Sequence, residues 1–291
     1  MADQRVPVRN TARHKSLFSF LSLIRHGLLP GLRKFGQSAS VFVVLFLVWH
    51  VVVYTFHPAS YLLPKPITVW RGIWNPSLGW PGTIWITTQE ILVGFSIAAA
   101  AGIFLAILIA WTPFLSRTLL PFLIVFNTLP KVAIAPLFII YLGYGTFPNA
   151  IIATMVAFFP IIIPSATGLV QIDQDWIDLA RSLGAPKWKT FLRLRLPNSL
   201  PYVFGGLKVG SSLAVTGAVI GEFIASQGGL GNVILSTQTT LNTALAFAAL
   251  FWLSLLGLLM YSAVALVERL LVPWSAPVGG EETGWRRKTS K

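Results

Sequence analysis

The chain has no cysteine among its 291 residues, which excludes a disulfide framework, a thiolate metal site and a cysteine nucleophile. Acidic residues are scarce too. Nine Asp and Glu stand against 22 Lys and Arg, and charged residues of both signs make up only 11% of the chain, where a soluble globular domain carries about a quarter. Hydrophobic residues reach 55% and the mean hydropathy is +0.72. Apolar runs longer than about 18 residues, enough to cross the hydrocarbon core of a bilayer, recur along most of the sequence. The class is therefore α-helical integral membrane. The net charge of +13 would suit nucleic acid if it covered one face. Instead the basic residues cluster at the two ends and in one internal segment, as in loops facing an anionic cytoplasmic leaflet, so no nucleic-acid partner is expected. The chain also lacks a Gly-x-x-x-x-Gly-Lys-Ser/Thr phosphate loop, a Gly-x-Ser-x-Gly elbow and a metal-spaced His/Asp/Glu cluster. The expectation is a non-enzyme with no catalytic residue, no metal and no cofactor, whose energy comes from another chain.

Residues 1–38 hold Arg5, Arg9, Arg13, Lys15, Arg25, Arg33 and Lys34 against the single acid Asp3, with an apolar patch at Leu17, Phe18, Phe20, Leu21 and Ile24. This reads as a basic arm ending in an interfacial helix rather than a cleaved leader, because the first true apolar run begins only near Val41. Hydropathy then predicts six spans at about 39–56, 84–111, 118–142, 148–170, 202–225 and 244–271, followed by a tail at 272–291. With the N-terminus inside, the loops 112–117 and 171–201 and the tail are cytoplasmic and hold Arg117, Arg181, Lys187, Lys189, Arg193, Arg195, Arg286, Arg287, Lys288 and Lys291. The external segments 57–83, 143–147 and 226–243 hold only Lys65 and Arg71. That asymmetry predicts both termini in the cytoplasm.

The first external segment is rich in Pro and carries Trp70, Trp74 and Trp80 as interfacial anchors. Small residues recur four apart at Ala98/Gly102, Gly206/Gly210 and Gly217/Gly221, a spacing that lets membrane helices approach closely, although Gly is also common in spans generally. No internal repeat is visible, whereas many secondary transporters show one.

The long loop between spans four and five carries most of the functional information. Asp175 and Asp178 resemble a capping box, and Trp176, Leu179, Ala180 and Leu183 follow at helical spacing. Gly184 ends that helix, and Pro186 suits the first turn of a second amphipathic helix over 187–196. Such a helix-turn-helix fits a groove on a soluble partner or, equally, a connector lying on the membrane.

At these residues the chain resembles the EAA loop of binding-protein-dependent ABC importer permeases. That pattern runs Glu-Ala-Ala, three residues, Gly, nine residues, Ile, one residue, Leu-Pro. Asp178, Ala180, Gly184, Leu194, Leu196 and Pro197 fall in register without a gap, while Asp178, Leu179 and Leu194 replace the usual Glu, Ala and Ile. The wider resemblance covers about 62–273. It is similar to the nitrate, sulfonate and taurine branch at Leu63-Pro-Lys-Pro66, Gly94-Phe95, the Leu129 to Phe138 stretch, Leu142-Gly-Tyr-Gly145, Phe158-Phe-Pro160, Glu222 and Gly229-Leu-Gly231.

The resemblance implies an all-α type I permease fold of six transmembrane helices with a cytoplasmic helix-turn-helix coupling loop, in a bacterial inner membrane. The domain plan is then 1–38 arm, 39–271 permease with coupling loop 171–201, and 272–291 tail. The implied coupling residues are Asp178, Leu179, Ala180, Gly184, Ala185, Pro186, Leu194, Leu196 and Pro197. The implied partners are cytoplasmic ATPase subunits, an extracytoplasmic solute-binding protein, a second copy of the chain and the lipid bilayer. ATP-driven closure of the ATPase pair would move the 175–197 helices and open the path outward. A small anion such as a sulfonate, taurine or nitrate is the expected solute, and a vitamin precursor such as a thiamine-type pyrimidine is the alternative. A secondary transporter and a membrane-embedded enzyme or scaffold are the readings from other classes.

Charges inside spans are costly, so each is a candidate for the translocation path. These are Glu90 in span two, Lys131 beside Pro130 in span three with Asn127 one turn away, and Glu222 in span five. The structural reading competes: a Lys–Glu pair between spans, or Glu222 capping loop backbone. Lys208 is expected to snorkel to the interface, and His50 to serve packing rather than ligation.

Overall fold

Long apolar runs leave backbone groups no water to bond with inside a bilayer, so they fold as helices. The computed structural model describes residues 29–225 and 227–274, which are helical apart from short turns. The helices are α1 (Leu29–Phe56), α2 (Pro66–Ile73), α3 (Trp80–Trp111), α4 (Pro113–Asn127), α5 (Lys131–Leu142), α6 (Thr146–Val170), α7 (Gln174–Ser182), α8 (Lys187–Thr190), α9 (Leu196–Ala225), α10 (Leu230–Thr240) and α11 (Thr243–Leu271). The interfacial patch of the basic arm and the charges of the tail lie outside the described residues.

The chain divides into two units, 1–66 and 67–291. In the first, α1 includes an apolar helical stretch, Ser40–Phe56. The Trp49 indole N–H donates to the Pro64 carbonyl at 3.2 Å, holding the returning loop against this helix. His50 stacks on the Tyr54 ring with centroids 4.3 Å apart.

In the second unit α6 is the central element and packs along its length against α3 and α9. Its inward residues Ile152, Ala153, Ala157, Ile161 and Ile162 are fully buried. Between helices in lipid there is little hydrophobic drive, so close approach and dispersion must supply the cohesion. The predicted pair Gly217/Gly221 provides that approach. A Cβ on Gly217 would stand 2.6 Å from the Ala153 Cα, and one on Gly221 would meet the Asn149 side chain at 2.7 Å. Any larger residue there would push α9 off α6.

Four described helices are long and apolar enough to cross a membrane: α3, α6, the continuous run from Lys187 to Ile224, and α11. The span expected at 118–142 is instead two helices, α4 and α5, bent by 88° at a break before Lys131. The pair counts as a fifth span or a re-entrant hairpin. Pro130 at the break has no N–H to continue the helix and disfavours helical backbone in Leu129. The segments read as external loops also contain structure. Residues 57–83 hold α2 and the start of α3, and 226–243 holds α10. Trp80 is buried, its indole donating to Gly72 O at 2.9 Å, and Trp74 and Trp80 both lie against Trp252. These two tryptophans therefore hold α2 to α11 in addition to any interfacial role.

Candidate functional site

The in-span charges and the coupling segment occupy three places. The first lies at the end of the bundle formed by the start of α3, the start of α6 and the end of α9. Glu222, fully buried, directs its carboxylate at the N-terminus of α10, accepting the Gly231 amide with Oε2. Thr87, one turn before Glu90 on α3, donates its hydroxyl to Glu222 Oε1 at 2.6 Å and accepts the Leu230 amide at 2.8 Å. A helix N-terminus presents unbonded amides and a partial positive charge, so a carboxylate there satisfies both. Of the competing readings, Glu222 capping backbone is the one the geometry supports. Gly229 has a φ of +95°, and a Cβ there would overlap the Glu222 carboxylate, so glycine is required on both counts. Beside this, Asn149 at the start of α6 donates Nδ2 to Glu90 Oε1 at 2.8 Å. Glu90 is only 1% exposed. Sequence reasoning misses Thr87 and Asn149. Thr87 is detectable from its i−3 spacing to Glu90, whereas Asn149 becomes informative only once α6 is seen against α3.

The second place is the α4–α5 break. Lys131 Nζ donates to both the backbone O and the side-chain Oδ1 of Asn127, each at 2.8 Å, and lies 5.0 Å from the Phe159 ring centroid. The predicted neighbourhood of Lys131 and Asn127 is present, and the ammonium closes the turn by binding a carbonyl that α4 leaves free. No ion pair joins Lys131 to Glu90 or Glu222 among the described residues. The four candidates thus fall in two separate places, Glu90 and Glu222 at one end of the bundle and Asn127 bonded to Lys131 at the α4–α5 break. Phe122, Phe126 and Leu129 are exposed beside this break.

Lys208, expected to snorkel, has a carboxylate partner. It pairs with Glu268 of α11 at 2.8 Å, with both side chains largely covered. Snorkelling suits a lone lysine, and Glu268, in the last turn of the final span, supplies a partner that only the packing of α9 on α11 brings near.

The third place is the segment after α6. Asp173, not Asp175, caps α7: its side chain accepts the Asp175 amide at 3.1 Å. Asp178 instead holds Arg181 at 3.1 Å on an exposed face. Gly184 adopts φ +71°, with its own amide bonding Arg181 O and the Ala185 amide bonding Ala180 O, each at 2.9 Å. That double closure is a Schellman C-cap, which needs a left-handed residue at this position. The second helix does not end near 196 as predicted. Its first turn, Lys187–Thr190, runs through a π turn at Phe191–Arg195 directly into α9. Leu194, Leu196 and Pro197 are therefore the root of a membrane helix, and a displacement of the Gly184 turn bears on α9 without an intervening hinge loop. From the π turn Arg195 reaches across to the C-terminal end of α3, where its Nη1 donates to Ala110 O at 3.1 Å. Leu179, Leu183 and Trp188 remain exposed apolar residues around the turn, while Ala180 is buried.

The family model described as binding-protein-dependent transport system inner membrane component matches residues 98–273. The formylaminopyrimidine transport permease of Halalkalibacterium halodurans is 33% identical, over 80% of this chain and 93% of its own. The riboflavin transport system permease of Chloroflexus aurantiacus is 34% identical, over 80% and 88%. The nitrate import permease of Synechococcus elongatus is 28% identical, over 84% and 93%. Among solved structures, an inward-facing form of the MetNI methionine ABC transporter aligns with a TM-score of 0.57 at 20% identity, covering 66% of this chain and 95% of that one, a likeness of fold. With an all-helical membrane bundle, a helix-cap-helix segment in the EAA register and a family match over more than half its length, the chain belongs to the inner-membrane permease components of binding-protein-dependent ABC importers.

Proposed function

We propose that this permease carries a small heteroaromatic vitamin precursor, of the pyrimidine type, from a solute-binding protein into a bacterial cytoplasm. The observation that carries the solute is the order of likeness: the relatives named for formylaminopyrimidine and riboflavin are 33% and 34% identical, against 28% for the nitrate permease. The geometry of the α4–α5 break agrees with it. The Lys131 charge is offset within the chain by two Asn127 oxygens and an aromatic face, so it needs no passing anion, and exposed phenylalanines beside it suit a flat ring. The anion reading retains two arguments: the relative named for nitrate import, 28% identical over 84% of this chain, and Lys131, a cation at an exposed bend of a membrane span.

In this reading both termini are cytoplasmic, two copies of the chain pair with two ATPase subunits, and the arm 1–38, permease 39–271 and tail 272–291 form one functional unit. Asp178, Leu179, Ala180, Gly184, Ala185 and Pro186 meet the ATPase, and Leu194, Leu196 and Pro197 pass its motion into α9. Lys131 and Asn127 border the path, while Glu90 and Glu222 hold its outer end in shape. The topology is tested by a Ser182→Cys substitution in this cysteine-free chain: an impermeant thiol reagent should label it in inverted vesicles and not in intact cells. The solute is tested by uptake into cells carrying the complete transporter. Labelled formylaminopyrimidine should accumulate, and the Lys131→Met variant should retain most of that uptake. Accumulation of taurine or nitrate instead, abolished by Lys131→Met, would establish the anion reading.

A further inference from the structure

Where α3 ends, the chain forms a half-open cavity of about 370 Å³ against α7 and the π turn. Arg181, Lys187 and Arg195 line it with Thr190, Trp111 and Phe191, and no acidic side chain faces it among the described residues. The three cations are incompletely used. Arg181 makes a solvent-exposed pair with Asp178, which screening leaves weak. Arg195 gives one of its five N–H donors to Ala110 O. Lys187 has no partner among the described residues. A cavity with two guanidinium groups, an ammonium and a hydroxyl matches a tetrahedral oxyanion, which arginine binds through paired N–H bonds.

Apart from Thr112, the remaining wall is apolar. Trp111 and Phe191 meet edge to face, 5.4 Å between centroids, and Trp111 is the last residue of a membrane helix, the position where an indole sits at a bilayer surface. Phe114, three residues on, is 77% exposed. A ligand held here thus has its charge among the cations and apolar surface beside it on the membrane side. We propose that this cavity binds a phosphate group, supplied by the headgroup of an anionic phospholipid. The inference rests on the cytoplasmic placement of 171–201 proposed above. The site joins the end of α3 to both sides of the Gly184 turn, because Arg181 precedes the glycine and Lys187 follows it. A bound phosphate therefore ties the ATPase-facing turn to a neighbouring span.

The test is native mass spectrometry of the full chain in detergent, offered equal amounts of phosphatidylglycerol and phosphatidylcholine, with inorganic phosphate as competitor. Phosphatidylglycerol should be retained preferentially. Lys187→Gln and Arg181→Gln should each weaken retention by about fivefold, the effect of removing one cation from an anionic lipid contact. Both side chains are exposed, so the variants keep the wild-type elution profile, which serves as the folding control. Displacement by millimolar inorganic phosphate, with the same variant sensitivity, supports the phosphate site and identifies free phosphate as its source. Equal retention of the two lipids, or retention unchanged in the double variant, overturns the proposal. So does lost ATPase binding in the double variant with lipid retention intact, which would assign the cavity to an acidic protein side chain. Lipid retention in detergent does not depend on orientation, and labelling at Ser182 reads orientation separately, so failure of the topology and failure of the site give different results.

Discussion

Thr87 on α3 donates to Glu222 on α9 at 2.6 Å across 135 residues of sequence, and its hydroxyl oxygen in turn accepts the Leu230 amide of α10. One hydroxyl thereby joins three helices. Its two bonds explain why a polar residue is tolerated at 0% exposure in a membrane bundle.

Replacing Thr87 with Val keeps the shape but leaves the Leu230 amide without its acceptor and Glu222 Oε1 without this donor. Leaving a buried polar group unsatisfied costs about 1–3 kcal/mol. The melting temperature of the purified permease should fall in Thr87→Val and be nearly unchanged in Thr87→Ser. Equal melting of both variants would mean the three-way contact contributes nothing.

The packing of α9 on α6 gives a paired prediction. A Cβ on Gly217 meets the Ala153 Cα at 2.6 Å, while one on Gly205 meets nothing within 4 Å. Overpacking of this kind costs about 1–3 kcal/mol. Gly217→Ala should therefore melt several degrees lower than the wild type and Gly205→Ala should not, as read by thermal denaturation in detergent.

Gly184 sits at φ +71° with open space around its Cα, so a side chain there is opposed by backbone conformation and not by crowding. An L-residue in the left-handed region costs about 1–2 kcal/mol, and a β-branched one adds to that. Gly184→Val should open the Schellman closure, lower affinity for the ATPase in detergent and reduce transport, while the protein still inserts. Gly184→Asn, which tolerates this conformation, should recover much of the loss. Wild-type ATPase affinity in the valine variant would show the turn to be a passive connector.

Sequence and structure agree where the signal is local. The apolar runs 84–111, 148–170, 202–225 and 244–271 lie wholly within α3, α6, α9 and α11, because hydropathy and backbone saturation act within one segment. Gly184 marks its turn for the same reason. The break at Thr128–Pro130 is legible in principle, since Pro130 interrupts an apolar run, but hydropathy alone merges α4 and α5 into one span. What the sequence does not show depends on pairing across the fold: Asn149 meeting Glu90, Thr87 meeting Glu222, and Lys208 meeting Glu268. The shift of the α7 cap from Asp175 to Asp173 reflects two nearby aspartates that both suit a helix start.

That this chain is the permease of an ATP-driven importer, worked through the 174–197 segment, is tested most directly by solute uptake into proteoliposomes. These would hold the chain, its ATPase and its binding protein, with the wild type compared to Asp178→Lys. The expected result is uptake that requires ATP and all three components and that drops sharply in the Asp178→Lys variant while the assembled membrane protein persists. Uptake driven by an ion gradient without ATP, or at wild-type rate in that variant, would contradict it.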